Sequence, residues 1–542
     1  MAESSEPNVR WRLGNDGLVS SLEADRVAIR WGSHVRTFGE LRSRALALAA
    51  AFRGAGLRGG DYVATLLYNR GEILELYFAC AFAGVTLVPL NFRLVGAELG
   101  EIFASCPPQW LFCEAELQAG VQQAVSSLDG LSVTLLEAGC SGAAYDALAE
   151  GESLTPPYDS CDIHLILFSS GTTGKPKGAC LSHGAIVSYA LQQAAAYPQL
   201  DNEAALLITG PMFNAGGLND LTVASLAVGA SVNILPSRRW TAAKMIEHID
   251  RWGVTHAVMF PSMMEPILQA DREQTADLAS MKFFVAGGEN CPPETVDRFR
   301  RRWPHITVSV AYGSTEIGLV TMTSGMTAEA IPVATVGRPV IGSSVRIVDG
   351  AGVDVPAGEI GEIWAASGSA FSGYLGDAAL SADTIRGGWV AMGDLGRLAP
   401  DGSLTIEGRT KDVIISGGQN IYPAEVESAL QGHPDVIDAA IVSVPDPRWG
   451  ESVCAFVVLG DGVRASAESL LAFLSNRLAS YKRPRFFVFA ESLPRNASNK
   501  VLKAELRARV RSVGSLQPNS SEWAKHEIDG RDVFVLSPLL RP

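Results

Sequence analysis

Short apolar runs alternate with longer amphipathic segments over the larger part of this chain, and this alternation restricts the possible folds. The segment RSRALALAAAF at Arg42–Phe52 has the pattern of a helix, and Leu74–Ala83 repeats it. The run VTLVPL at Val85–Leu90 then has the pattern of a buried strand. Strands that are separated by helical segments are typical of α/β folds. We therefore predict an α/β fold with mainly parallel sheets.

The length of the chain indicates more than one domain. A chain of 542 residues is too long to form a single hydrophobic core. After Gly342 the pattern changes to short strands broken by Gly, Asp and Pro, which predicts a small antiparallel barrel or meander. A polar crossing at Arg409–Asp412 leads into a compact α+β unit that ends near Leu506. We place the domains at 1–410 and 411–542, with a tail of unknown role from 512.

Charge and cysteine content exclude several classes of protein. The 44 basic and 58 acidic residues give a net charge of -14, which repels phosphate polymers and argues against nucleic acid as a partner. No secretory signal and no apolar stretch of about 18 residues is present, so we expect a cytoplasmic protein without integral membrane association. The eight cysteines form no CxxC pair, which argues against a zinc site or a disulfide framework.

One polar stretch follows an apolar run and concentrates groups that bind anions. The sequence LFSSGTTGKPKGACLSH spans Leu167–His183. Its glycines allow backbone N–H groups to converge on an anion, while its hydroxyl and ammonium groups add charge-assisted hydrogen bonds. The spacing differs from that of a Walker A loop. These residues alone leave a phosphate cradle and a mobile linker as equal alternatives.

This stretch resembles the signature loop of the adenylate-forming enzymes, which include acyl-CoA synthetases, peptide-synthetase adenylation domains and firefly luciferase. Eight further motifs that resemble this family occur in order along the chain, the first of them before the loop and the others after it: PLNFRL, PMFNAGG, AGGENCPPE, AYGSTEIG, GEIWAASGSAFSGYLG, GWVAMGDLG, IEGRTKDVIISGGQNIYPAEVE and LPRNASNKVLK. The resemblance implies a large N-terminal domain of two mainly parallel sheets flanked by helices, with a small β-barrel. A small mobile α+β domain would follow at the C-terminus.

The resemblance also implies a site for ATP and Mg²⁺. Glu316 would supply the hard carboxylate that Mg²⁺ prefers, Tyr312 a face for adenine, and Asp394 an acceptor for the ribose hydroxyls. The other residues that the resemblance assigns to ATP are Ser169, Ser170, Gly171, Thr172, Thr173, Gly174, Lys177, Gly288, Glu289, Gly313, Thr315, Arg409 and Lys500.

Catalysis is expected to involve Lys500, Thr315, Glu316 and Lys411. An ammonium at Lys500 would lower the repulsion between a carboxylate and the α-phosphate and neutralise charge in the transition state. Lys411 lies two residues after Arg409, where the family has its pivot, so the C-terminal domain is expected to swing about it.

The acyl and CoA sites are also implied by the resemblance. Four residues would shape the acyl pocket: Phe213, Asn214, Gly217 and Gly288. Five would meet CoA after the swing: Gly417, Gly418, Trp449, Arg483 and Arg485. The last three belong to the segments PDPRWGESV and ASYKRPRFFVF, which resemble those of benzoate-type aryl-CoA ligases. Two positions depart from the family: Asn214 stands where many members have His or an aromatic residue, and Met392 replaces the usual Thr.

We therefore expect an ATP-dependent carboxylic acid–CoA ligase that uses ATP, Mg²⁺ and coenzyme A. The C-terminal resemblance favours aryl or alicyclic acids. Two alternatives stay open. The chain could pass its acyl group to a carrier protein or an amine, or it could be a degenerate member that is competent only for nucleotide or acyl-adenylate binding or for thioesterification. A homodimer is compatible with each of these interpretations.

Overall fold

The computed structural model describes residues 24–126, 128–155, 161–170, 176–237, 241–271, 276, 278–289, 291, 293–323, 335–460, 462–463, 465–495, 501–510, 524–528 and 531–535. The chain divides into two compact units. The first contains the described parts of Met1–Arg346 and Trp364–Met392, and the second those of Ile347–Ile363 and Gly393–Pro542. This division does not coincide with the boundary predicted at residue 410, which stays a prediction.

The larger sheet of the first unit contains nine described strands. In spatial order they are β15 (Arg338–Pro339), β14 (Gly318–Met322), β13 (Thr307–Ser314), β12 (Phe283–Gly287), β11 (His256–Met259), β9 (Ala205–Ile208), β10 (Ser231–Ile234), β1 (Val27–Trp31) and β2 (His34–Thr37). Every pair from β13 to β1 is parallel. The outer pairs, at β2, β14 and β15, are antiparallel.

The second sheet of this unit contains six described strands. In spatial order they are β6 (Ser132–Leu136), β5 (Trp110–Glu114), β3 (Tyr62–Leu66), β4 (Thr86–Pro89), β7 (Ile163–Ser170) and β8 (Pro176–Ser182). Its pairs are parallel except for β7 and β8, which pair antiparallel. The prediction of two mainly parallel sheets is therefore confirmed.

Helices connect these strands. They are α1 (Phe38–Gly54), α2 (Glu72–Ala83), α3 (Gly96–Ser105), α4 (Gln118–Val125), α5 (Ala143–Ala149), α6 (His183–Ala196), α7 (Ala215–Leu218), α8 (Thr222–Ala227), α9 (Ala242–Trp252), α10 (Pro261–Ala270), α11 (Pro293–Arg302) and α12 (Ala378–Thr384). The first helix begins with a capping box, because Thr37 and Glu40 each accept the other's backbone N–H through their side chains. The helices predicted at Arg42–Phe52 and Leu74–Ala83 are confirmed as parts of α1 and α2.

A third sheet follows the change of sequence pattern after Gly342. Its strands are β16 (Ser343–Val348), β17 (Gly361–Ser367), β19 (Trp389–Leu398) and β18 (Ile385–Arg386), with β20 (Leu404–Arg409) paired to β19. The pairs of β19 with β18 and with β20 are antiparallel. These antiparallel pairs agree with the antiparallel barrel or meander that the sequence predicts here.

The C-terminal part of the second unit has the expected α+β composition. Its sheet contains β21 (Ile414–Ser416), β22 (Gln419–Ile421), β23 (Val436–Asp446), β24 (Gly450–Leu459), β25 (Phe486–Phe489), β26 (Ala524–Ile528) and β27 (Arg531–Val535). Its helices are α13 (Pro423–Gln431), α14 (Ala467–Ser475) and α15 (Lys503–Arg509). The tail whose role was unknown thus supplies β26 and β27.

Alternate side chains of β24 enter two different apolar clusters. Val453 and Val457 pack in the cluster that contains Leu430 and Leu470, from α13 and α14. Phe456 packs with Leu506 and other residues on the opposite face. This period of two is that of a strand with both faces buried, which fixes the register of the sheet.

All eight cysteines are free thiols. Within the described ranges, no helix combines the length and apolar character that a membrane crossing requires.

A fully buried histidine lies in the core of the first unit. The His164 ring, on β7, has its centroid 4.5 Å from that of Tyr77 and 4.9 Å from that of His183. Among the described residues, neither ring nitrogen of His164 has a hydrogen-bond partner. Burial, and secondarily the neighbouring His183, hold the pKa of His164 well below its ordinary value of 6.5. His164 is therefore neutral in the folded chain.

We expect His164 to make the first unit sensitive to acid. Below about pH 6.5 the unfolded chain binds a proton at this histidine while the folded chain does not, so the free energy of unfolding falls as pH falls. His164→Phe should flatten this dependence by up to about 1.4 kcal/mol per pH unit. Calorimetric melting between about pH 5 and 7 measures it. His305→Gln, at an exposed histidine, should change nothing; an equal effect of both substitutions would contradict the assignment.

Candidate active site

A lysine, a tyrosine and a glutamate from three separate motifs lie together in the first unit. Lys177, on β8, has its Nζ 5.7 Å from the centroid of the Tyr374 ring. The Tyr374 hydroxyl donates a hydrogen bond of 2.9 Å to Oε1 of Glu316. The aromatic ring thus contacts a cation on its face and a carboxylate at its edge. Two of these residues, Lys177 and Glu316, were predicted from the sequence, whereas Tyr374 was not.

Backbone hydrogen bonds fix the position of Tyr374. The Leu375 N–H donates to the Gly178 carbonyl at 2.8 Å, which holds this segment along β8. The Phe371 N–H donates to the Glu316 carbonyl at 2.7 Å. The segment therefore runs between the strand that carries the lysine and the turn that carries the glutamate. The only sequence signal for this role is that Tyr374 belongs to the GYLG part of a family-like motif.

Tyr374 acts as a hydrogen-bond donor over the whole neutral range. Burial, and then the negative charge of Glu316, raise the pKa of Tyr374 above its ordinary value of 10.0. The phenol therefore stays protonated near neutral pH. Its contribution is to hold the Glu316 carboxylate in one orientation.

The turn that carries Thr315 and Glu316 is closely packed. A Cβ at Gly313 would lie 1.9 Å from the Gly318 carbonyl oxygen, so no larger residue fits there. The Glu316 N–H donates to the Ser314 hydroxyl at 3.3 Å, which stabilises the turn. Thr315 and Glu316 are both half-buried. The turn thus presents two polar side chains from a rigid support.

The predicted residues Gly288 and Glu289 follow the adjacent strand. Strands β12 and β13 are parallel, and Gly287 pairs with Ala311 in their register. Tyr312 comes directly after Ala311, so all of these residues lie at the carboxyl ends of neighbouring strands. In open parallel sheets, ligands bind in crevices at such ends.

The segment predicted to meet the acyl group is held by a buried asparagine. Asn69 donates through Nδ2 to the Gly210 carbonyl at 2.8 Å and accepts the Met212 N–H at 2.9 Å. A Cβ at Gly217 would lie 2.1 Å from the Pro211 carbonyl oxygen. The backbone of the PMFNAGG motif therefore follows one tight path. Sequence analysis did not identify Asn69, which is distant from this motif along the chain.

One aromatic ring brings the predicted acyl-site residues together. Phe260 follows β11, and a Cβ at Gly288 would lie 3.1 Å from its ring. A Cβ at Gly210 or Gly216 would lie 3.2 or 3.9 Å from the same ring. The phenyl group of Phe260 is thus approached by the AGGEN motif and by the PMFNAGG motif. Phe213 lies in the same segment, with its ring centroid 5.3 Å from that of Phe92. Asn214 begins the short helix α7 that follows.

The second unit contains the predicted ribose and hinge residues. Asp394 and Arg409 face each other in the pairing of β19 with β20, and Nε of Arg409 lies 2.9 Å from Oδ1 of Asp394. Asp394 is buried, while Arg409 and Lys411 are exposed. Lys411 belongs to the single helical turn Thr410–Asp412. The aspartate that was predicted for ribose therefore has a cationic partner on the next strand.

Three of the five residues predicted to meet CoA lie together in the second unit. The Gly417 N–H donates to the Trp449 carbonyl at 2.8 Å, and a Cβ at Gly417 would lie 2.6 Å from the Trp449 ring. The Arg485 guanidinium carbon lies 5.5 Å from the centroid of that ring. Arg485 also forms an ion pair with Asp446 at 2.5 Å. Gly418 comes next in the chain, and a Cβ there would meet open space.

Arg483 has a different environment. Its guanidinium donates to the carbonyls of Leu478 and Ser475, at 2.9 and 3.0 Å, at the end of α14. Cations are stabilised at a helix C-terminus by the carbonyl groups there. This arginine is thus held by its own domain, and its predicted contact with CoA stays a prediction.

Part of the predicted site falls outside the described residues. It comprises Lys500 and four residues that lie between β7 and β8 in the sequence: Gly171, Thr172, Thr173 and Gly174. For Ser169 and Ser170 the structure describes the backbone, which pairs with Lys177 and Pro176. The roles of these residues stay predictions.

Comparison with known proteins gives the same family for both parts of the chain. The sequence model of the AMP-binding enzymes matches residues 20–375, and that of the AMP-binding enzyme C-terminal domain matches residues 425–500. An indoleacetate–CoA ligase of Aromatoleum aromaticum is 35% identical over 91% of this chain and 96% of its own. A feruloyl-CoA synthase of Amycolatopsis sp is 36% identical over 92% of this chain and 100% of its own.

A solved structure agrees with this result. The crystal structure of ATP-bound MatB from Rhodopseudomonas palustris has a TM-score of 0.85 with this chain and is 28% identical to it. The similarity covers 92% of this chain and 98% of that one. It therefore extends over nearly the whole of both chains.

The adjacent glycines in the second unit provide a test of the Trp449 contact. Both have left-handed backbones, with φ of 57° at Gly417 and 78° at Gly418. Alanine at either position should lose about 1–2 kcal/mol of stability for that conformation. Gly417→Ala should lose about 1–3 kcal/mol more, because its methyl group overlaps the indole. Denaturant unfolding followed by circular dichroism measures the difference. Equal losses would mean that the tryptophan does not occupy this position in solution.

Proposed function

The chain belongs to the AMP-binding enzyme family, and we propose that it is an ATP-dependent carboxylic acid–CoA ligase. In the first step a carboxylate oxygen attacks the α-phosphorus of ATP, the bond to the β-phosphate oxygen breaks, and pyrophosphate leaves. In the second step the thiol of coenzyme A attacks the acyl carbon of the resulting acyl-adenylate. A C–S bond forms, the bond to AMP breaks, and the thiol proton passes to solvent.

The observation that carries this proposal is that Lys177 lies over the ring of Tyr374 while Glu316 accepts a hydrogen bond from the Tyr374 hydroxyl. A phosphate site needs a cation, and a metal that accompanies the phosphates needs a hard oxygen ligand. Lys177 would bind the β- and γ-phosphates with the hydroxyls of the preceding hairpin. A triphosphate would bring its charge to a site where the cation and the metal-binding carboxylate are already in place.

The residues present fit Mg²⁺ as a partner of the nucleotide. Among the described residues there is no group of three or more His, Cys, Asp or Glu side chains that could enclose a metal ion. Mg²⁺ in nucleotide sites commonly uses one or two carboxylates and completes its coordination with phosphate oxygens and water. Glu316, held by Tyr374, would provide the carboxylate. The bound ion would neutralise part of the charge on the phosphates.

The remaining roles in adenylation follow the family resemblance. We assign Tyr312 to the adenine, Asp394 with Arg409 to the ribose, and Thr315 to the phosphoryl oxygens. Lys500 would neutralise the charge that develops between the attacking carboxylate and the α-phosphate. In these assignments the residues position ATP and compensate the negative charge that develops at the α-phosphate.

The second step would use the cluster of Gly417, Trp449 and Arg485. The absence of a side chain at Gly418 leaves open space, which suits a pantetheine arm that must approach the backbone. Trp449 and Arg485 offer a stacking surface and a cation to the nucleotide part of coenzyme A. Lys411 is exposed, which suits a hinge whose side chain must stay hydrated before and after the swing.

An aromatic acid is the favoured acyl substrate. The names of the two relatives refer to indoleacetate and to a feruloyl group, both of which contain an aromatic ring. In this chain the glycines of two motifs surround the Phe260 ring, which suits the packing of a flat apolar group. We therefore propose an arylcarboxylic acid as substrate.

Pyrophosphate release over a panel of carboxylic acids, with and without coenzyme A, tests the proposed function. The ligase should release pyrophosphate with at least one aromatic acid, and AMP and the thioester should appear only when coenzyme A is present. An amide product with an amine, or acylation of a carrier protein without CoA turnover, would select the alternative acceptor. A complete lack of pyrophosphate with every acid would indicate a chain that binds nucleotide without adenylating.

Lys500→Ala should separate the two steps. Loss of the ammonium removes charge compensation during adenylation, so pyrophosphate release should fall by at least about a hundredfold. Formation of the thioester from supplied acyl-adenylate should be retained. Lys244→Ala, at an exposed lysine on α9, is the matched control and should affect neither step. Equal loss of both steps in Lys500→Ala would mean that its role is misassigned.

Tyr374→Phe should raise the Mg²⁺ concentration needed for half-maximal pyrophosphate release. The substitution keeps the ring beneath Lys177 but removes the hydrogen bond that orients Glu316, a loss of about 1 kcal/mol or roughly fivefold. Tyr481→Phe is a suitable control, because its ring also lies 5.8 Å from a lysine Nζ, that of Lys482, on the exposed surface. An unchanged Mg²⁺ requirement in Tyr374→Phe would contradict the positioning role.

A further inference from the structure

A half-buried carboxylate lies beside the segment assigned to the acyl group. Asp220 follows the short helix α7 and has one oxygen, Oδ1, bonded to the hydroxyl of Tyr189 on α6. Its other oxygen, Oδ2, lies 3.5 Å from the place that a Cβ would take at Gly216. Among the described residues, Tyr189 is the hydrogen-bond partner of Asp220, and no basic side chain forms an ion pair with it. One oxygen thus faces the position where Gly216 lacks a side chain.

The Phe260 ring borders the same position. A Cβ at Gly216 would lie 3.9 Å from Cζ of Phe260. Gly210 and Gly288 also face this ring, as described above. A methyl group at Gly216 would therefore be in ordinary contact with both the ring of Phe260 and a carboxylate oxygen. A flat ring with a polar edge matches these two neighbours.

The charge of Asp220 calls for a hydrogen-bond donor. Burial raises the pKa of Asp220 to about 6, and the hydrogen bond from Tyr189 opposes this increase. The carboxylate is therefore mainly ionised near pH 7.5. Burial of an ionised oxygen is unfavourable unless a donor binds it. A ligand that brings an O–H or N–H group to Oδ2 would supply that donor.

We propose that Asp220 is a specificity-determining residue that selects arylcarboxylic acids with an O–H or N–H donor remote from the reacting carboxylate. The acid's own carboxylate is not the group that meets Asp220, because two carboxylates repel each other. The donor binds Oδ2, and the ring that bears it packs against Phe260. This inference rests on the proposed function, since it assigns the substrate class of the same acyl site.

The selectivity should be large enough to measure. A hydrogen bond to a charged acceptor corresponds to about ten- to a hundredfold in affinity. Replacement of the donor hydrogen by a methyl group removes the hydrogen bond to Asp220 and adds little surface area to the ligand. Pairs of ligands that differ by this methyl group therefore isolate the contribution of Asp220.

Equilibrium binding of stable acyl-sulfamoyladenosines, which mimic the acyl-adenylate, tests the inference without turnover. The probes are the 4-hydroxycinnamoyl and 4-methoxycinnamoyl pair and the indole-3-acetyl and 1-methylindole-3-acetyl pair, measured by calorimetry at about pH 7.5. The wild-type chain should prefer the donor-bearing member of at least one pair by about tenfold or more. Equal binding within both pairs would overturn the inference but not the proposed function. Failure of every probe to bind would overturn both.

Substitutions assign the preference to Asp220. Asp220→Asn keeps the shape and removes the charge, so the ratio within a pair should fall toward one. Gly216→Ala places a methyl group at ordinary contact distance from Oδ2 and Phe260, so it should fold and should weaken the donor-bearing probe more than its methylated partner. Glu247→Gln, at an exposed carboxylate on α9, is the charge-matched control and should keep the wild-type ratio. Retention of that ratio in both Asp220→Asn and Gly216→Ala would overturn the proposal, and thermal melting checks that each variant is folded.

Discussion

The backbone pairing of the 371–375 segment with β8 is the constraint on which the candidate site depends. It places Tyr374 where its ring meets Lys177 and its hydroxyl meets Glu316. Lys177 lies on one sheet and Glu316 on a turn that follows a strand of the other sheet, and Tyr374 contacts both of them. The site therefore relies on main-chain hydrogen bonds, which keep two side chains of opposite charge near each other but not in direct contact.

Missing side chains contribute as much to the site as the polar groups do. Gly313 and Gly217 are required because the backbone itself occupies the space that a Cβ would need. Gly216 and Gly418 are of a second kind, because a Cβ would fit at both positions. At Gly216 it would lie at ordinary contact distance from its neighbours, and at Gly418 it would meet open space. The first kind of glycine fixes the path of the chain. In the proposed function the second kind leaves room for an acyl group or for the pantetheine arm of coenzyme A.

The sequence predicted the fold well, because alternation of strands and helices is a local property. Lys177 and Glu316 were also predictable, since each belongs to a motif that carries its own chemistry. Tyr374 was not, because its partner Glu316 is 58 residues away and only the folded chain brings them together. Phe260 was missed for the same reason, as its neighbours Gly210 and Gly288 belong to other segments. Asp220 lies in the same segment as its neighbour Gly216 and was missed because it belongs to no motif that carries chemistry. The contacts of Arg483 with the carbonyls of Leu478 and Ser475 were also not predictable from the sequence, while its contact with CoA stays a prediction.

The C-terminal strands have a consequence for how this protein should be handled. Strand β27 pairs with β25, and both β26 and β27 lie beyond residue 500, where the match to the family's C-terminal domain ends. Removal of these strands would leave the N–H and C=O groups on the β27 side of β25 without partners, and such an open edge recruits strands from other molecules. A chain shortened to end before β26 keeps every motif of the sequence analysis and is nevertheless expected to aggregate, so expression tags belong at the N-terminal end.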